Sequence, residues 1–331
     1  NWSIRCVTIT KKIVLDCTEI NYRLEGKMKK LLQISLLISS FIILNKSFAF
    51  AHDPSKKILA KKIFSSFETP TSGASGGIGS YAKGCLSGGK LLAETGDSWQ
   101  VMRTSRNRSW GHSSTISFVK RYSKKVKQYG WPGLYIGDIG QPRGGPLPYG
   151  HKSHQIGLDV DIWLTKPRQI NLTLQERENL VAKSVRSKDH RSVNGNWMPE
   201  HMDILREAAL DPSVDRIFIT APAKIWMCKN VKGERNWLQK IRPLGGHHAH
   251  FHIRLKCPIT DLECITQRPS ISEISQSADG CDHTLQWWVT TALKPSEPRK
   301  KTEKRKPPKK NALTFLPEDL PQECKKVMHS N

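Results

Sequence analysis

The 331-residue chain is short of acid, with 29 Asp and Glu against 53 Lys and Arg and a formal net charge of +24. Such an imbalance favours an anionic partner (nucleic acid, a membrane surface or an acidic wall polymer) without choosing among them. None of its eight cysteines forms a C-x-x-C pair, which argues against a zinc ribbon or a thioredoxin-type site. An H-E-x-x-H helix is missing too, which removes the thermolysin-type arrangement. No nucleic-acid-binding motif and no internal repeat is visible. The apolar run 31–44 is broken by Gln33 and serines and is short for a membrane span.

What surrounds that run gives it another meaning. Lys29 and Lys30 form a basic head, and the A-x-A tripeptide at 49–51 supplies a cleavage site before His52. Residues 28–51 therefore read as a secretory signal peptide, with 1–27 as an upstream extension outside the fold. The mature chain is expected to begin at His52 and to work outside the cytoplasm. Six cysteines remain there: Cys85, Cys228, Cys257, Cys264, Cys281 and Cys324. An even number in an exported chain implies three disulfides, and spacing alone does not say which. Export and paired cysteines together oppose a nucleic-acid partner.

With 37% hydrophobic residues and 10 Trp, the chain can fill one or two compact domains. Residues 52–84 are rich in Ser and Gly and read as an extended arm with loops. "ISFVKRYSKKVKQYGW" places Val119, Tyr122, Val126 and Tyr129 at near-helical spacing, with lysines opposite. "GLYIGDIGQPRGGPLPYG" is a short strand running into a Gly/Pro loop, "PEHMDILREAALDP" a helix, and "VDRIFIT" a buried strand. After Leu293 comes "KPSEPRKKTEKRKPPKK", with nine basic residues, two acidic ones and no large apolar side chain. It has nothing to bury, so 294–331 reads as a basic linker and tail beyond a main domain at 52–293. Cys324 lies past it, which implies that the tail is pinned back to the body.

Two segments carry the chemistry. "GHKSHQIGLDVDIWL" puts His151, His154, Asp159 and Asp161 within eleven residues. Strand alternation turns Leu158, Val160 and Ile162 one way and Asp159 and Asp161 the other. In "HAHFHIRL", His250, His252 and Arg254 share one face, while Phe251, Ile253 and Leu255 share the core face. If the two ionisable fronts meet, they assemble the imidazole and carboxylate ligands of a catalytic zinc with an open position. A further histidine beside the ion can move a proton. Spacing does not decide between Asp159 and Asp161.

These two segments, with "GSYAKGCLSGG", "SRNRSWGH", "KQYGWPGLYIGDIG", "DRIFITAPAKIWMC" and "LQWW", resemble the penicillin-insensitive murein endopeptidases. Those are periplasmic zinc peptidases of the group that includes lysostaphin and the D-Ala-D-Ala metallopeptidases. Their signature is H-x6-D followed much later by H-x-H, here His154 to Asp161 and His250 to His252. The resemblance implies that His154, Asp161 and His252 bind zinc, and that Asp159 braces the loop or a histidine. It makes His250 and His247 catalytic, and gives His151 an accessory metal or supporting role. It implies pairings Cys85–Cys324, Cys228–Cys281 and Cys257–Cys264. The implied substrate is peptidoglycan, cut at the D-alanyl–meso-diaminopimelate amide of its cross-links. The chain departs from the family in its longer, more basic linker, which by default is a solvated tether that keeps the chain soluble and as an alternative meets an anionic wall or outer-membrane surface. The expected fold is α+β: a small, mostly antiparallel sheet carrying the zinc site, flanked by helices and long loops and stapled by disulfides. The competing expectation is a non-catalytic zinc- or wall-binding protein of the same fold.

Overall fold

The computed structural model describes residues 57–276, 278–295 and 309–330. The expected extension at 1–27, the signal peptide at 28–51 and most of the basic linker lie outside them. Residues from Ile58 onward form one compact unit, the C-terminal tail included. No helix among the described residues is long and apolar enough to cross a membrane.

The chain runs through α1 (Ala60–Phe64), β1 (Gly76–Ser80), β2 (Lys83–Ser87), β3 (Lys90–Leu91), β4 (Thr95–Gly96), β5 (Trp99–Val101) and β6 (Trp110–Gly111). Next come α2 (Ser113–Lys125), β7 (Leu134–Ile136), β8 (Asp159–Trp163), α3 (Leu174–Asn179), α4 (Pro199–Leu210) and β9 (Val214–Ile219). The last elements are α5 (Ala221–Asn230), β10 (Ile241–Pro243), β11 (His250–Leu255), α6 (Ile271–Ser275), α7 (Leu285–Val289) and α8 (Glu323–His329). The fold is α+β. Its main sheet is larger and more mixed than expected, with seven strands in the order β10-β9-β11-β8-β7-β5-β4. Four of its six pairings are antiparallel, and β10–β9 and β5–β7 are parallel.

The elements form for local reasons that the core then rewards. α2 buries Ile116, Phe118, Val119 and Tyr122 and turns Lys120, Arg121, Lys124 and Lys125 outward, an amphipathic pattern of helical period. The ring of His112 caps it, with Nδ1 accepting from Ser114 N at 3.1 Å. α4 starts on Pro199, where the missing N–H costs nothing. β8 and β11 put Val160, Ile162, Phe251, Ile253 and Leu255 into one core with α2 and α4.

The arm expected at 52–84 holds more structure than its composition suggests. α1 buries Phe64, and β1 pairs antiparallel with β2. Ala60 and Phe64 pack with Cys85, Phe315, Leu320, Cys324 and Val327 in a second small core. Cys85 and Cys324 stand at disulfide distance (2.02 Å), as do Cys228 with Cys281 (2.05 Å) and Cys257 with Cys264 (2.06 Å). Arg143 completes the seam, donating from Nη1 to Val327 O at 2.9 Å and Ser330 O at 2.6 Å. The tail thus closes against the start of the fold.

One buried cation makes a stability prediction. Lys224 on α5 is wholly buried and donates to Leu238 O at 2.7 Å and Asp279 O at 3.2 Å. Burial, aided by Arg242, pushes its pKa down to about 7 from an ordinary 10.5. Between those values the unfolded chain holds a proton that the folded chain has released, so stability rises with pH across that window. Urea unfolding at pH 7 to 9.5 should show this rise, with a slope of at most about 1.4 kcal/mol per pH unit from this group. Lys224→Met should flatten the profile, and an unchanged slope would refute the assignment.

Candidate metal centre

β8 and β11 lie side by side with His252 opposite Asp161 and Arg254 opposite Asp159, so the two ionisable fronts do meet. Around Asp161 the histidines divide between its two oxygens. On Oδ1, His154 Nε2 stands at 3.4 Å and His252 Nδ1 at 3.1 Å. On Oδ2, His151 Nε2 stands at 3.3 Å and His250 Nε2 at 3.6 Å. His151, His154 and Asp161 present ligand atoms within 4.8 Å of one another. His247 lies behind, its ring 5.1 Å from that of His250 and 5.7 Å from that of His252.

His154 is held in place from three sides. Its φ of 67° lies in the left-handed region that a side chain rarely adopts. Its backbone N–H donates to Asp159 Oδ2 at 2.9 Å, which secures that turn. Its Nδ1 lies 2.8 Å from Ile139 O. A carbonyl only accepts, so Nδ1 carries the proton and Nε2 presents its lone pair to Asp161.

Asp159 supports both the loop and a histidine. Besides the His154 N–H it accepts from Arg254, Nε to Oδ1 at 2.8 Å and Nη2 to Oδ2 at 3.1 Å. Its Oδ1 is also 3.0 Å from His252 Nε2, an ion-pair distance without hydrogen-bond alignment. Burial would raise the pKa of Asp159, but Arg254 and His252 overcome it and hold the carboxyl well below its usual range. Asp161 behaves alike: burial raises its pKa, and His250, His154 and His151 carry the balance well below. His252 is shifted upward despite burial, because Asp159 and Asp161 flank it. Burial lowers His250, and lowers His247 to about 4, with His252 and His250 adding to the effect on His247.

The donor set fits a tetrahedral metal. His154 Nε2 and Asp161 Oδ1 are buried with no hydrogen-bond partner among the described residues, a costly state for polar atoms unless an ion completes them. Ligands about 2.0–2.1 Å from a tetrahedral zinc stand roughly 3.3–3.4 Å apart, close to the separations around Oδ1.

The penicillin-insensitive murein endopeptidase family profile matches residues 77–329. A relative of that name from Shigella sonnei is 38% identical over 246 residues, covering 74% of this chain and 88% of its own. Those from Haemophilus influenzae (36% over 256 residues, 76% and 82% covered) and Escherichia coli K12 (37% over 246, 74% and 88%) agree. The chain belongs to the penicillin-insensitive murein endopeptidase family. The two histidine segments had pointed to the same family.

Within this murein endopeptidase chain, the expected site residues His151, His154, Asp161, His247, His250 and His252 converge on one place. Several neighbours were not legible beforehand. Asp138 lies in the loop after β7, where Asp161 N donates to its carbonyl at 3.0 Å. Its side chain meets His151 Nε2 at 3.3 Å and Arg108 Nη1 at 2.7 Å. An acid placed just after a strand, in a Gly-rich loop leading to the histidines, was the available signal. Asp189 stands apart from this cluster and accepts within its own turn from Ser187 Oγ at 2.6 Å.

Proposed function

We propose that the chain is a zinc-dependent murein endopeptidase that hydrolyses the D-alanyl–meso-diaminopimelate amide of peptidoglycan cross-links in the periplasm. The observation that carries this reading is the convergence of His154 Nε2 and His252 Nδ1 on Asp161 Oδ1, with partners missing for two of those three atoms. In it, His154, Asp161 and His252 hold the ion, and His151 is an accessory ligand or support. A bound zinc supplies Lewis acidity, polarising the scissile carbonyl and making water a nucleophile near neutral pH.

The rest of the work falls to the chain. Ile139 O fixes the tautomer of His154, and Asp159 orients His252. His250 and His247 stand free of these duties, and as neutral imidazoles they can take a proton from water and return it to the departing amine. No serine nucleophile is used, so penicillin has nothing to acylate. The periplasmic setting rests on the leader at 28–51 and the paired cysteines. The basic segment after Leu293 offers a contact to anionic wall polymer or outer-membrane lipid.

The test is digestion of cross-linked muropeptide dimers by the purified chain, with and without chelator. Expected are monomers in the first case, intact dimers in the second, and recovery on adding zinc. Dimers that bind but persist with a fully metallated protein would instead establish the non-catalytic wall-binding alternative.

A further inference from the structure

His151 and His250 each line two cavities, so the site opens on two flanks. One cavity, of about 640 Å³, is walled by Phe218, Leu244, Gly246 and His247. The other, of about 250 Å³, is walled by Arg103, Arg106, Asp138, Trp163 and Val181. A cross-linked peptide carries a stem on each side of the scissile amide, and two cavities sharing a wall suit that shape.

The smaller cavity carries a spare positive charge. Asp138 is already met by buried Arg108 at 2.7 Å. Arg106 Nη1 stands 3.4 Å from each of its oxygens and keeps 35% of its side chain exposed. Two carboxylates, of Asp138 and Asp161, face three guanidiniums, of Arg103, Arg106 and Arg108, which leaves one positive charge over. Arg103 is engaged with Leu180 O at 3.1 Å and Arg108 with Asp138, so Arg106 is the member that reaches the opening. Arg108 also neutralises Asp138 against any anion that enters.

The loop that presents Arg106 is held under strain. Arg103 and Asn107 flank the turn Thr104–Arg106 with φ of 60° and 51°, both left-handed and neither a glycine. Glu178 clamps it, accepting from Ser105 N at 2.9 Å, Ser105 Oγ at 2.8 Å and Thr104 Oγ1 at 3.2 Å. Trp110 Nε1 donates to Asn107 Oδ1 at 2.7 Å on the other side. Strained backbone persists where surroundings over-determine it, and it gathers at binding sites.

We infer that Arg106 is a specificity-determining residue that binds the free carboxylate beside the scissile nitrogen on the amine side of the cross-link. The inference rests on the murein-peptidase reading above. In a diaminopimelate cross-link the carbon bearing the scissile nitrogen also bears a carboxylate, so that anion enters within reach of the reacting bond. Arg106 stands one carboxylate away from His151, which itself touches Asp161. A planar guanidinium suits a carboxylate and rejects its neutral amide.

The experiment compares two cross-linked dimers that differ only there, one with the free carboxylate and one amidated. The intact protein should prefer the free acid by about tenfold or more in kcat/KM, chiefly through KM. Arg106→Gln should lose that preference by falling at least about tenfold further on the acid than on the amide, and Arg106→Lys should restore part of it. Calorimetric Kd values for both dimers on metal-stripped protein should show the same pattern without turnover. Equal use of both dimers by the intact protein, or an equal loss on both in Arg106→Gln, overturns the inference and leaves the proposed function standing. Cleavage of neither dimer by the zinc-loaded protein overturns both.

Discussion

His252→Ala is expected to leave a folded protein that retains no zinc and cleaves no cross-linked dimers. His252 sits at the centre of the main sheet, paired with Asp161 on β8 and Phe218 on β9. Its Nδ1 and His154 Nε2 meet the same oxygen of Asp161. Removing it leaves two donors where a tetrahedral site with an open position requires three. Replacing a residue that merely supports a ligand costs about 10- to 100-fold in affinity or activity, so loss of a ligand should exceed about 100-fold. The checks are bound zinc by atomic absorption, dimer cleavage, and a thermal melt to establish that the variant folds. A folded variant holding a full equivalent of zinc would remove His252 from the ligand set.

Asp159→Asn should be the most destabilising of the conservative changes near the site. The carboxylate is fully buried and serves Arg254 through two hydrogen bonds, the strained turn at His154 through a third, and His252 through its charge. Arg254 is only 7% exposed and lies over the rings of Tyr81 and Phe218, so when its partner goes it keeps only the neutral Gln267 Oε1 as a side-chain acceptor and gains little water. Breaking a buried ion pair on one side costs about 3–5 kcal/mol, because the surviving charge is stranded. Urea unfolding should show a loss of that order, and zinc affinity should fall along with it. Removing both charges, as Asp159→Leu with Arg254→Met, should recover much of the loss. A single variant within about 1 kcal/mol of the parent would show that the pair does not carry the sheet centre.

The difference between these two aspartates was the part of the site least legible in the sequence. Period-two alternation placed both on the ionisable face, and it placed Val160, Ile162, Phe251 and Ile253 in the core, where they lie. Alternation is a local property. Which aspartate lies opposite a histidine and which opposite an arginine follows from the register of β8 on β11, a pairing between segments some ninety residues apart. Asp138 and Arg106 were hidden for the same reason, since bonds between distant segments, such as Asp161 N to Asp138 O and Ile139 N to Arg108 O, bring their loops to the histidines. The Ser/Gly-rich start was misjudged because α1 takes its packing from the C-terminal tail, which composition cannot connect to it.

That closure of the tail on the start of the fold has a topological consequence. Through Cys85 and Cys324 the chain is a covalent ring of 239 residues' separation, and the lysine-rich stretch after Leu293 is part of its circumference. A single trypsin-like cut in that stretch would open the ring without freeing a fragment. The nicked protein would stay one covalent molecule and keep its second small core until a reductant separated the pieces, so a cut there need not put the rest of the molecule at risk.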